Sequence, residues 1–82
     1  MKQLKVGIVQ QACGEDTALN IQKSIDGILD CVKNGAELVV LQELHTGIYF
    51  CQAEDTTKFD LAETIPGPST EIFSKIAKEN NV

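Results

Sequence analysis

The sequence has 82 residues, 12 of them acidic and 7 basic, for a net charge of -5. That balance argues against nucleic acid and against anionic membrane surfaces, both of which recruit Lys and Arg. The length falls short of a usual full domain. No apolar stretch approaches a membrane span or a signal-peptide core, so secretion is not expected and a cytoplasmic location is.

Leu4-Lys5-Val6-Gly7-Ile8-Val9 reads as a first strand. Leu4, Val6 and Ile8 share one face, and Gly7 and Val9 share the other with Lys5. Gly7 has no side chain, so a neighbouring element can approach closely there. Gln10 to Gly14 then leaves the strand as a loop. Gln10 is read either as pointing toward the end of the next strand or as satisfying loop backbone.

A helix follows. Asp16 or Thr17 can cap it by accepting the free amides of the first turn. Ile21, Ile25, Ile28, Leu29 and Val32 recur at helical spacing and form an apolar stripe. Gly27 inside this helix costs about 1 kcal/mol against Ala, which a tight contact with the sheet would explain. Asn34-Gly35 tolerates the left-handed backbone of a helix end. Cys31, near that end, reads as structural.

Leu38-Val39-Val40-Leu41 is an unbroken apolar run, the pattern of a strand covered on both faces. The order strand, helix, strand makes a parallel βαβ unit, and α/β sheets place their chemistry at the carboxyl ends of their strands. Glu43 stands at that end. After it come an aromatic loop through Tyr49 and Phe50 and an acidic segment, Glu54 to Glu63, in which Phe59 and Leu61 read as anchors. Pro66-Gly67-Pro68 is a turn signal, and Pro68 suits the first turn of a second helix. Ile72, Phe73, Ile76 and Ala77 give that helix its stripe, and Asn80-Asn81 closes it. Two strands and two helices leave sheet edges unpaired and part of a face bare, so the 82 residues read as a piece of a larger domain.

Glu43 is the leading candidate for chemistry. A carboxylate at the mouth of a buried strand is expected to be partly desolvated, which favours a general base. The spacing equally admits a Glu that pairs with a lysine or caps a helix. His45 forms a Glu-x-His pair with Glu43 but has no third metal ligand nearby, and reads as a loop histidine making one hydrogen bond. Cys51 could be activated by His45 or be an inert thiol. Cys13, Cys31 and Cys51 contain no CxxC pair, so free thiols in a reducing compartment are expected. No GxGxxG or GxxxxGK[ST] phosphate loop is present.

These segments resemble a known family. Leu4 to Gln10, Asn20 with its helix, Gly35-Ala36-Glu37-Leu38-Val39-Val40-Leu41-Gln42-Glu43 and Ile65-Pro66-Gly67-Pro68-Ser69-Thr70 are similar to the amino-terminal part of the nitrilase, or carbon–nitrogen hydrolase, superfamily. The superfamily typically has Pro before the equivalent of Glu43, where this chain has Gln42. That departure, with Glu43-Leu44-His45 and Tyr49-Phe50-Cys51-Gln52, looks most like the N-carbamoylputrescine amidohydrolase branch. The resemblance implies that residues 1–82 are the amino-terminal part of one hydrolase domain, an incomplete portion of a four-layer α-β-β-α sandwich that assembles as a homo-oligomer. It implies a Glu-Lys-Cys triad in which Glu43 is the general base, the other two members lying beyond the matched segments. The 82 residues alone are therefore expected to be inactive. Tyr49 matches a position that can line the substrate pocket, and no metal or organic cofactor is required. The implied reaction converts N-carbamoylputrescine to putrescine, carbon dioxide and ammonia, a step of polyamine biosynthesis. A β-ureidopropionase-like enzyme and a non-catalytic α/β binding or assembly module are the alternatives.

Overall fold

The structure, a computed structural model, describes residues 3–47 and 62–82. Within them the chain runs β1 (Val6–Val9), α1 (Thr17–Lys33), β2 (Leu38–Leu41) and α2 (Pro68–Asn80). The two strands pair in parallel, with Val6 opposite Leu38 and Val9 opposite Leu41. This is the expected α/β unit. Its first strand begins two residues later than the apolar pattern suggests, although the Lys5 carbonyl still accepts from Glu37 N at 2.8 Å.

Local chemistry sets the helix ends. Asp16 caps α1, its side chain accepting from Leu19 N. At the other end Gly35 N donates to Val32 O and Ala36 N to Cys31 O, with Gly35 at φ 90. That pair of bonds satisfies carbonyls the helix leaves free and needs a left-handed residue between them. The same pair closes α2, where Asn81 N donates to Lys78 O and Val82 N to Ala77 O, and Asn81 takes φ 55. Pro68 opens α2 as expected.

Helix α1 lies on one face of the strand pair. A methyl group on Gly27 would sit 2.5 Å from Val9 Cγ1, and one on Gly7 would sit 2.6 Å from Cys31 Sγ. Both glycines are therefore contact points between helix and sheet. The buried apolar residues at this seam are Val9, Ile28 and Ala36. Phe73 and Ile76 of α2 face Ile28 and Leu41 across an open apolar cleft of about 270 Å³.

Two expectations need correction. The second strand is not covered on both faces: Leu38 and Val40 are each 47% exposed, and Val6 and Ile8 beside them are 44% and 77% exposed. Only the face toward α1 is packed, because a single helix covers a single side of a sheet. The helix stripe also differs, since Leu29 is exposed and the buried line is Asn20, Ser24 and Ile28. The first two turns of that line lie beneath the loop after β2, a polar surface rather than an apolar one.

Candidate active site

The strand β2 delivers Gln42 and Glu43 to the carboxyl edge of the sheet. Residues 43–46 form a turn, and Leu44 within it has φ 56. A left-handed backbone costs a non-glycine residue about 1 kcal/mol, so the surrounding contacts must hold it.

Those contacts come from α1 and from the loop after β1. Gln42 Oε1 accepts from Gln11 N at 2.7 Å, tying the ends of the two strands together. A proline, which the superfamily typically carries at that position, has no side-chain acceptor for this link. Gln11 Nε2 donates to the carbonyls of His45 at 3.0 Å and Asn20 at 2.9 Å. Cys13 Sγ donates to the same His45 carbonyl at 3.2 Å. Asn20 Nδ2 donates to Thr46 O at 3.1 Å and to Gly14 O at 2.7 Å, while its Oδ1 accepts from Gly14 N at 3.0 Å. Ser24 Oγ lies 2.9 Å from His45 Nδ1, and the imidazole meets Phe73 edge-on with centroids 5.2 Å apart.

Asn20 and Ser24 have no exposed surface. Buried polar groups are costly unless hydrogen-bonded, and among the described residues no buried side-chain nitrogen or oxygen lacks a partner. Partial burial holds the His45 imidazole below its ordinary 6.5, so it is the neutral ring that fits the site.

Glu43 itself is exposed, not partly desolvated as expected. The turn begins at this residue, and the inward places on either side belong to Gln42 and His45. Gln10 is also exposed; the residue that reaches the end of β2 is Gln11. His45 does make a side-chain hydrogen bond, as a loop histidine should. No three His, Cys, Asp or Glu side chains gather as a metal site among the described residues. Tyr49, Cys51, Phe59 and Leu61 lie outside the described residues, as does most of the acidic segment. Gln11, Asn20 and Ser24 were not marked by pattern as a set. The available signal is two small uncharged polar residues four apart, in line with the apolar Ile28 on one face of α1.

The model of the carbon-nitrogen hydrolase family matches residues 5–82. The chain belongs to that family. Among curated relatives of this carbon–nitrogen hydrolase chain, an N-carbamoylputrescine amidase from Oryza sativa subsp. japonica is 39% identical over 80 residues, covering 96% of the chain and 27% of that protein. A citrullinase from Francisella tularensis subsp. tularensis is 32% identical over 83 residues, covering 100% of the chain and 29% of that protein. An omega-amidase from Xenopus laevis is 34% identical over 80 residues, covering 96% and 27% respectively. The chain thus spans less than a third of the length of each of these relatives. No solved structure matches it significantly.

Proposed function

We propose that the protein carrying this chain hydrolyses the carbon–nitrogen bonds of a carbamoyl amine, with Glu43 as general base. The observation that carries this reading is the position of Glu43. In a chain of the carbon–nitrogen hydrolase family, it stands past the carboxyl end of β2, as the first residue of a turn anchored on α1. The N-carbamoylputrescine amidases among the relatives favour N-carbamoylputrescine as substrate. The citrullinase supports a second reading, citrulline, which shares the terminal ureido group.

The proposed chemistry follows from the triad the resemblance implies. Glu43 takes the proton of a cysteine thiol, and the thiolate attacks the ureido carbon. The terminal nitrogen leaves as ammonia, carrying that proton away, while a lysine ammonium stabilises the oxyanion. Glu43 then takes a proton from water, whose oxygen attacks the carbon of the S-carbamoyl cysteine; the carbon–sulfur bond breaks and the proton passes from Glu43 to the departing sulfur, restoring the thiol. The released carbamate decomposes to carbon dioxide and the amine, so one water is consumed for each ammonia formed. The bare apolar face formed by Val6, Ile8, Leu38 and Val40 supports a sandwich in which a second sheet stacks on this one. A homo-oligomer and a substrate contact at Tyr49 belong to the same reading.

Substrate profiling of the full-length protein tests it. N-carbamoylputrescine should be turned over in preference to citrulline, an ω-amide and N-carbamoyl-β-alanine. Turnover of N-carbamoyl-β-alanine with none of N-carbamoylputrescine would reject the substrate. Glu43→Gln should lower kcat by at least about 10²-fold, the low end for a lost general base. Near-normal turnover in that variant would return Glu43 to a structural role.

A further inference from the structure

The polar cluster beneath the Glu43 turn has a proton arrangement that its geometry determines. Gln11 Nε2 lies within reach of two carbonyls, those of Asn20 and His45, so the amide orientation is settled by its acceptors. Gln11 Oε1 then faces Ser24 Oγ at 3.1 Å. An amide oxygen only accepts, so the single hydroxyl proton of Ser24 goes to Gln11. The Asn20 carbonyl, 3.2 Å from the same hydroxyl, has a donor in Gln11 Nε2 without it, whereas among the described residues the side-chain donor to Gln11 Oε1 is Ser24. Ser24 therefore offers a lone pair toward His45 Nδ1 at 2.9 Å, and a bond at that distance requires the proton to sit on Nδ1. The opposite tautomer would turn the hydroxyl toward the ring and leave Gln11 Oε1 facing a bare serine oxygen.

This chain of bonds reaches the backbone next to Glu43. His45 is held through its ring by Ser24, through its carbonyl by Gln11 and Cys13, and against Phe73 of α2. Leu44, between Glu43 and His45, is the residue with the left-handed backbone. The imidazole bond adds to the backbone bonds at His45 O and Thr46 O that hold this turn, and its loss weakens the hold on the Leu44 conformation that aims the preceding side chain.

We propose that His45, held as its Nδ1-protonated tautomer by the Ser24–Gln11 relay, is a positioning residue that fixes the direction of the Glu43 carboxylate. The inference rests on Glu43 being the general base. It assigns His45 no contact with substrate.

The test uses the full-length protein. Magic-angle-spinning NMR of 15N-histidine-labelled protein reads the tautomer directly, with the His45 signal assigned by its loss in His45→Asn. A neutral ring protonated on Nδ1 is expected; an Nε2-protonated or doubly protonated ring at neutral pH overturns the proposal. In kinetics, His45→Phe keeps a ring against Phe73 but removes the donor. It should lower kcat about 10- to 100-fold, the scale of a misdirected catalytic group, with KM within about twofold. Ser24→Ala should do the same, and the double variant should be no worse than either single one. His45→Asn places an amide N–H at the Nδ1 position and should recover most of the loss, whereas His45→Gln, one bond longer, should not. Equal activity of the Phe and Asn variants overturns the proposal. If Glu43→Gln is inactive while His45→Phe is unimpaired, the positioning role fails and the general base stands. If Glu43→Gln is unimpaired, the general-base reading fails first.

Discussion

The imidazole of His45 is the group of this site whose charge changes nearest neutral pH. Its proton affinity is lowered by burial, so the unfolded chain binds that proton near pH 6.5 and the folded chain only below it. The corresponding stability is fully present above pH 6.5 and is lost as pH falls through the lower folded value. Denaturant titrations of the full-length protein at about pH 7.5 and pH 5.5 should show this loss, and His45→Phe should show less of it. An unchanged pH dependence in the variant would place the sensitive group elsewhere. Among single residues, Glu43 is legible because an apolar strand leads straight to a carboxylate. Asn20 and Ser24 are not, since pattern sends polar helix residues to solvent and only the loop above them reverses that assignment.

At the scale of elements, the α1–sheet contact is governed by two glycines. Gly27→Ala adds about 1 kcal/mol of helix propensity, but the new methyl meets Val9 Cγ1 at 2.5 Å. Val9 is buried and β-branched, so it has little freedom to move aside. Overpacking typically costs about 1–3 kcal/mol, which leaves a net destabilisation of up to about 2 kcal/mol. Thermal or denaturant unfolding of Gly27→Ala checks this, and a stabilised variant would show that the helix can shift outward. The start of α2 uses a different device. Gly67 provides no side-chain cap, and the Glu63 carboxylate accepts from both Ser69 N and Ser69 Oγ at 2.8 Å. Those bonds hold the Glu63 carboxyl below its ordinary 4.5. Helix boundaries at Asp16, Gly35 and Pro68 follow from sequence, because a cap is chosen by residues within a few positions of it.

For the molecule as a whole, the open face of the sheet dominates. Val6, Ile8, Leu38 and Val40 sit side by side in the parallel register and all stay exposed. Contiguous apolar surface of this kind is a contact site or a source of association. The 82-residue chain made alone should bind a hydrophobic dye and self-associate, and Ile8→Lys with Val40→Lys should suppress both. Fluorescence and analytical ultracentrifugation read these outcomes. A monomer that does not bind dye would show that the described residues rearrange to cover the face.

The βαβ order, the helix ends and the placement of Glu43 after β2 are legible in the sequence. Each of these depends on periodicity or on neighbours a few residues apart. Tertiary structure decided which polar groups meet: Ser24 with His45 across 21 positions, and Gln11 with the His45 carbonyl across 34. It also decided that Gln11, not Gln10, bridges the strand ends, which face of the sheet is bare, and that Glu43 is exposed. Periodicity ranks residues by face. It carries no information about which distant segment will lie over that face, and a hydrogen bond exists only when packing brings donor and acceptor within about 3 Å.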